Sequence, residues 1–111
     1  MKKFMVLYRA PLTSFEQAMK ASPAEQKAGM DAWMSWAQKA SKSIVDMGAP
    51  LGQTVKVTPA GVAPTKNDLG GYSILQGESK EAVGEVLKGH PHFMMKDGFI
   101  EVVELMPMPG A

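Results

Sequence analysis

Two histidines lie close together in a segment that is rich in turn-forming residues, Gly89-His90-Pro91-His92. An imidazole changes protonation near neutral pH, so these side chains are suited to general acid–base catalysis. Asp97 follows within the turn Lys96-Asp97-Gly98, and its carboxylate orients one of the rings if this turn folds back. The sequence therefore predicts His90, His92 and Asp97 as candidate catalytic residues.

Two other interpretations of the same segment remain open. Histidines that follow a helix are favoured as cations at its C-terminal end, where they would have a structural role. Together with Met94 and Met95 they also form a local group of imidazole and thioether donors, which suits Cu(I). No thiolate is available to complete such a metal site, because the chain contains no Cys.

Three residues are candidates for ligand binding. Arg9 is the only arginine of the chain and follows the first predicted strand, so we expect it to bind an anionic group. Tyr8 and Tyr72 are predicted to line the same cavity. The expected ligand is a small organic molecule, anionic or aromatic, and the chemistry requires no cofactor. Gly70-Gly71 lacks the Lys-Ser/Thr that completes a phosphate-binding loop.

The composition excludes several other classes of function. Lys and Arg number 12 against 11 for Asp and Glu, without a basic cluster, so a nucleic-acid partner is not expected. No segment approaches the roughly 20 apolar residues of a membrane span. The apolar run after Lys2 and Lys3 is shorter than the ~7–15 residues of a signal peptide core. We therefore expect a cytoplasmic protein that binds neither nucleic acid nor membrane.

The spacing of apolar and turn-forming residues predicts the element order β-α-β-β-α-β within one domain, residues 1–111. Ser22-Pro23-Ala24-Glu25 has the pattern of a capping box with proline at the first helical position, and Gly48 is a helix stop. A helix of about 25 residues is expected between them, since 3.6-residue periodicity continues over that length. The strands are expected at residues 4–8, 51–57, 71–76 and 99–106, a second helix at 79–89, and a short helix or ordered loop at 12–20.

The long helix is expected to bury one face and to leave Trp36 at the margin of the core or at an interface. The predicted buried face consists of Met30, Trp33, Met34, Ala37, Ser41, Ile44 and Val45.

This order of elements is typical of a ferredoxin-like plait, an α+β fold in which both helices cover one face of a four-stranded antiparallel sheet. The first and last strands carry apolar residues on both sides, so the other face also needs a cover. A second copy of the chain provides it if two sheets pack face to face. The sequence therefore predicts a homodimer with a dimeric α+β barrel.

Several short motifs, in this order and spacing, resemble the YCII-related family, which includes the relatives named for a DGPF motif. The motifs are Tyr8-Arg9, Ser22-Pro23-Ala24-Glu25, Leu69-Gly70-Gly71-Tyr72, Gly89-His90-Pro91-His92 and Ile100-Glu101-Val102 running into Met106-Pro107-Met108. The resemblance implies a dimeric α+β barrel of ferredoxin-like subunits. It also implies that a His–Asp pair is catalytic in part of the family, one branch of which is associated with dehydrochlorination of chlorinated hydroquinones.

This chain departs from the family at the positions that would carry that chemistry. Pro11-Leu12-Thr13-Ser14 stands where the family has its histidine, and His90-Pro91 stands where it has Asp-Pro. Val62-Ala63-Pro64-Thr65 replaces the DGPF motif. The His–Asp pair is therefore not carried over to this sequence.

Three functions remain open at this stage. The first is a homodimer that binds a small organic molecule, with lyase-type acid–base chemistry by a histidine. The second is a non-catalytic ligand-binding or interaction module. The third is a haem or quinone monooxygenase of the wider dimeric barrel group, with His90 as ligand or base. The surroundings of His90 and His92 discriminate among them.

Overall fold

A computed structural model describes residues 1–110 of the chain. The strands are β1 (Lys2–Arg9), β2 (Ile44–Pro50), β3 (Thr54–Thr58), β4 (Gly61–Thr65), β5 (Leu69–Gly77) and β6 (Phe99–Glu104). The helices are α1 (Leu12–Met19), α2 (Pro23–Lys39) and α3 (Lys80–Val86), and a 3-10 turn spans Pro91–Met94.

The main sheet has four strands in the order β2-β5-β1-β6, and all neighbouring strands are antiparallel. The strands β3 and β4 form a separate two-stranded hairpin. Without this hairpin, the spatial order of the main strands is second, third, first, fourth, which is the order of a ferredoxin-like plait. The predicted fold class is therefore confirmed.

The core lies between this sheet and the helices. The strand β1 alternates, so that Phe4, Val6 and Tyr8 are at most 2% exposed while the residues between them are half-buried. Both α2 and α3 contribute to the same cluster, which places them on one face of the sheet. The buried cluster consists of Phe4, Val6, Tyr8, Trp36, Ala40, Leu75, Val83 and Leu87.

Most of the predicted elements are present near their expected positions. The Ser22 hydroxyl accepts from the Glu25 N–H at 3.1 Å, and the Glu25 carboxylate accepts from the Ser22 N–H at 3.2 Å. This capping box begins α2 as predicted. The Ser79 hydroxyl likewise accepts from the Ala82 N–H at 3.1 Å and begins α3. Residues 12–19 form α1, and β1, β5 and β6 include most of the residues expected for them.

The predicted end of the long helix is wrong. The helix α2 ends at Lys39, and β2 occupies residues 44–50, of which 44–47 had been predicted as the end of the helix. The β-branched pair Ile44-Val45 is favourable in a strand, and the Ser43 carbonyl accepts from the Gln76 N–H at 2.8 Å. Pairing with β5 thus overrides a weak helical periodicity.

The predicted second strand is wrong as well. Residues 51–57 do not join the main sheet, because residues 54–58 pair with β4 in the hairpin. The three valines of this hairpin, Val55, Val57 and Val62, are 59 to 72% exposed. The sequence predicted a strand in this region, but it did not predict that this strand belongs to a separate hairpin.

The buried face of α2 also differs from the prediction. Met30 and Met34 are 62% and 53% exposed, whereas Trp36 is only 7% exposed. The indole N–H of Trp36 donates to the Val86 carbonyl at 3.2 Å, so this side chain joins α2 to α3. Trp36 is therefore a core residue and not a marginal one.

None of the helices within residues 1–110 is long and apolar enough to cross a membrane.

Candidate functional site

A cavity of about 360 Å³ lies between α1, α2 and the edge of the main sheet where β2 pairs with β5. We call it the apolar cavity. Its lining residues are Tyr8, Phe15, Met30, Trp33, Met34, Met47, Gly48, Ala49, Pro50, Gly70, Gly71, Tyr72, His92 and Met95. Among the described residues, the lining contains no Lys, Arg, Asp or Glu. The titratable side chains of this wall are Tyr8 and His92, because the pairing of Tyr72 with Leu7 places the Tyr72 side chain on the opposite face of the sheet.

Two glycines allow this cavity to form. Gly48 has a φ of +74°, and a Cβ there would fall 1.7 Å from the carbonyl oxygen of Tyr72. A Cβ on Gly70 would fall 2.3 Å from the ring of Phe15, which lies on α1. Glycine is thus required at position 48, where the pairing of β2 with β5 is irregular, and at position 70, where α1 packs against the start of β5.

Tyr8 is held in the wall by a buried hydrogen-bond chain. The Ser73 hydroxyl donates to the Met47 carbonyl at 2.7 Å, and its oxygen lies 2.9 Å from the Tyr8 hydroxyl. Because the serine proton is used at Met47, the Tyr8 hydroxyl must donate to Ser73. Burial raises the pKa of Tyr8, with the Ser73 hydrogen bond opposing it, so the phenol stays protonated at neutral pH.

His92 lines the cavity and has a defined tautomer. Its Nε2 lies 2.7 Å from the backbone carbonyl oxygen of Arg9, which can only accept a hydrogen bond. The proton of a neutral ring therefore lies on Nε2, and Nδ1 keeps a free lone pair. Gly98 packs closely against this residue, since a Cβ there would fall 2.9 Å from the His92 carbonyl oxygen.

His90 lies behind the cavity wall and is 1% exposed. Its Nδ1 accepts from the His92 backbone N–H at 2.9 Å, so the ring caps the N-terminus of the 3-10 turn. The ring stacks on Tyr8 at 4.9 Å between centroids and lies 4.3 and 4.4 Å from the rings of Trp33 and Trp36. Burial, with a smaller contribution from the charge of His92, lowers the pKa of His90 to about 4.

This geometry changes the structural role expected for the histidine pair. A cation at the C-terminus of α3 was the sequence-based alternative. His90 acts instead at the start of the following turn, as a neutral acceptor, because a cationic ring has no lone pair on Nδ1.

The surroundings of His90 do not fit haem or copper ligation. Its Nδ1 already accepts a hydrogen bond, and Nε2 is buried without solvent access. Met94 of the predicted thioether group is 77% exposed, away from the enclosed ring. Within residues 1–110 no three His, Cys, Asp or Glu side chains form a group that could hold a metal ion.

Arg9 and Asp97 lie outside the lining of the apolar cavity. The guanidinium of Arg9 donates from Nε to Asp68 at 2.9 Å and from Nη1 to Glu101 at 2.7 Å. Its hydrogen bond holds the pKa of Asp68 below the usual value. Asp97 is exposed with a φ of +56°, and within residues 1–110 it forms no hydrogen bond with either histidine. The structure thus brings Tyr8 and His92 together at the cavity, with His90 directly behind them, whereas the predicted cavity side chain of Tyr72 lies on the opposite face of the sheet beside Leu7.

Sequence reasoning missed several residues of the site. Ser73, which fixes the direction of the Tyr8 hydrogen bond, is a lone serine within an apolar strand, and that contrast was the available signal. Phe15 gave no such signal, because its contact with Gly70 depends on how α1 packs against β5.

No family model matches the chain, and no curated protein matches it. The chain is similar to a solved structure of 5-chloro-2-hydroxyhydroquinone dehydrochlorinase (TftG) from Burkholderia phenoliruptrix AC1100, in complex with 2,5-dihydroxybenzoquinone. The identity is 14% and the TM-score 0.47, over 89% of this chain and 90% of that one. At this identity most side chains differ between the two chains.

Proposed function

We propose that this protein binds a small, uncharged and mainly aromatic organic molecule in the apolar cavity, and that His92 acts there as an acid–base group. The observation that carries the proposal is the cavity itself, a 360 Å³ space with apolar walls and one histidine whose Nδ1 is free. Cavities of roughly 300–1,000 Å³ with few polar groups are typical of small-molecule sites.

The wall chemistry favours an uncharged ligand over the anion that the sequence suggested. Arg9, the expected anion-binding residue, is already paired with two carboxylates. Within the described lining no other cation replaces it, and burying an unpaired charge in an apolar site is costly. The ligand is therefore neutral when bound.

The two polar side chains best defined in the wall favour a ligand with a hydroxyl group. His92 Nδ1 can accept a hydrogen bond, and the Tyr8 oxygen keeps a lone pair because its proton is donated to Ser73. A neutral imidazole beside a bound hydroxyl or acidic C–H is a suitable general base for lyase-type chemistry, without a cofactor.

A second candidate function is ligand binding without catalysis. Within residues 1–110 no carboxylate forms a hydrogen bond with His92, so the ring lacks the acidic partner that often raises the basicity of a catalytic histidine. In this alternative His92 only orients the ligand.

Titration with 2-naphthol, followed by amide shifts in ¹⁵N–¹H spectra, tests the proposed site. We expect shifts at residues 47–49 and 70–72, together with a response of the His92 ring. Met34→Trp fills the mouth of the cavity and should weaken 2-naphthol at least about tenfold, because it removes space that the ligand needs. Met19→Trp, on exposed α1 surface outside the cavity, is the matched control and should bind normally.

His92→Gln tests the role assigned to Nδ1. The glutamine amide can still donate to the Arg9 carbonyl but offers no base. We expect it to weaken 2-naphthol by roughly three- to tenfold, the value of one hydrogen bond, and to leave naphthalene unaffected. Equal loss for both compounds would argue against a hydrogen bond from the ligand to His92, and absence of 2-naphthol shifts at the cavity would reject the site.

We also propose that the protein is a homodimer in which the main sheets of two copies pack face to face. The sheet face opposite the helices carries Met5, Leu7 and Ile74, which are half-buried, and Val103, which is 48% exposed. These residues are in register on neighbouring strands, since Met5 pairs with both Ile74 and Val103. A second copy supplies a matching apolar surface.

A further inference from the structure

A second concave surface lies on the helical side of the molecule, between α2 and the segment that follows α3. It encloses about 550 Å³ and shares no lining residue with the apolar cavity. We call it the lysine groove. Its principal side chains are Trp36, Lys39, Lys88, His90, Phe93 and Met94.

The groove has a positive rim. Lys39 and Lys88 both line it, and its described lining contains no acidic residue. Lys88 forms an ion pair with Glu85 at 2.8 Å, but both side chains are more than 60% exposed, so the pair contributes little. Lys39 has no carboxylate within ion-pair distance among residues 1–110. An anion can therefore approach both ammonium groups.

The groove also has a large apolar surface. Trp36 is nearly buried at its base, while Phe93 and Met94 are 49% and 77% exposed. Neighbouring exposed aromatic and thioether side chains beside two lysines are suited to a flat apolar body that carries one negative charge. The apolar cavity lacks this combination, because no cation lines it.

The inner wall of the groove includes a hydrogen-bond donor without a partner. His90 Nδ1 accepts from the His92 N–H, so the proton of the neutral ring lies on Nε2. Within residues 1–110 this Nε2 is the buried side-chain nitrogen or oxygen that has no hydrogen-bond partner. The two ammonium groups at the rim are the accessible donors of the groove, and an anionic group complements them.

We propose that the lysine groove is a second binding site, which takes a small aromatic carboxylate with its anionic group near Lys39 and Lys88 and its ring against Trp36 and Phe93. This site is separate from the apolar cavity, and it stands even if the function proposed for that cavity is wrong.

Titration of the full chain with 1-naphthoate, followed by amide and indole shifts in ¹⁵N–¹H spectra, tests the proposal. We expect shifts at residues 35–39 and 88–94 and at the indole N–H of Trp36, with residues 48–50 unaffected. The neutral analogue 1-naphthamide should bind at least about tenfold more weakly, since it keeps the ring and loses the charge.

Charge reversal distinguishes the groove from general attraction to a basic surface. Lys39→Glu should weaken 1-naphthoate about tenfold, whereas Lys27→Glu makes the same charge change on exposed α2 surface outside the groove and should have little effect. Equal loss in both variants, equal binding of naphthamide, or naphthoate shifts confined to residues 48–50 would each overturn the proposal. A short polyglutamate peptide that shifts residues 88–94 where naphthoate does not would also overturn it, in favour of a peptide site.

Discussion

His90 is a buried side chain that supports the wall of the apolar cavity. Its ring is enclosed by Tyr8, Trp33 and Trp36, and it accepts the backbone N–H of His92. The acceptor role requires a neutral ring, so the geometry of the His92 turn depends on the protonation of its neighbour. At the residue scale, one histidine faces the cavity and the other fixes the turn that presents it.

The lowered pKa of His90 predicts a loss of stability in mild acid. The folded-state pKa is about 4 and the reference value is 6.5, so between these values the unfolded chain binds the proton more readily. The free energy of unfolding should therefore fall as the pH drops from 6.5 to 4, by roughly 3 kcal/mol at about 1.4 kcal/mol per pH unit. Urea unfolding at pH 7.0, 5.5 and 4.5 measures this loss.

His90→Asn provides the control for this prediction. Asparagine is a favourable N-cap and can accept the His92 N–H, but it does not titrate. We expect the variant to show a smaller decrease in stability over the same pH interval, even if its packing makes it less stable at pH 7. A pH dependence identical to that of the unmodified chain would mean that His90 is not the responsible group.

At the scale of the element, the pairing of β2 with β5 is irregular. The register between them shifts twice, between Ile44 and Asp46 and between Asp46 and Ala49. Gly48 lies within the second irregularity, where a positive φ brings its backbone against the Tyr72 carbonyl. This irregular part of β2 forms the edge of the apolar cavity. The strand that was wrongly predicted from the sequence therefore shapes the site.

Gly48→Ala should strongly destabilise the protein. The substitution adds a Cβ at a φ of +74°, where it would also overlap the Tyr72 carbonyl oxygen. We expect a loss of at least about 2 kcal/mol in the free energy of unfolding, measured with urea at pH 7. Gly52→Ala is the matched control, because nothing lies within 4 Å of the added carbon and its φ is not positive. A Gly48→Ala variant as stable as the control would contradict the role assigned to this glycine.

At the scale of the whole molecule, the helices cover one face of the main sheet and leave the other open. The open face carries Met5, Leu7, Ile74 and Val103 in adjacent strands. A chain of 111 residues has a small core of its own, so covering this face with a second copy would add substantially to stability. The apolar cavity and the lysine groove involve the helical side and its edge, which leaves both accessible in such a dimer.

Light scattering at micromolar concentration should give the mass of two 11.9 kDa chains. Ile74→Glu places a charge in the proposed interface and should yield monomers that retain native circular dichroism, because a buried unpaired charge is costly. Val57→Glu makes the same change on the hairpin, at a side chain that is 72% exposed, and should remain dimeric. A monomeric mass for the unmodified chain would reject the dimer.

The sequence by itself determined the features that depend on local chemistry. The Ser22 capping box begins α2 and the Ser79 cap begins α3. Because these signals come from residues close together in the chain, they also indicated the alternation of strands and helices that is typical of the plait, although the second strand of the main sheet lies earlier in the chain than predicted.

Only the tertiary structure decided the rest, since it depends on contacts between distant parts of the chain. Pairing with β5 converts residues 44–50 into a strand, and packing against α3 buries Trp36. Arg9 forms ion pairs with Asp68 and Glu101, which are distant in the chain. It is therefore not free for the ligand binding that the sequence predicted. The division of the two histidines, one lining the cavity and one supporting it, likewise arises from the side chains that surround each ring.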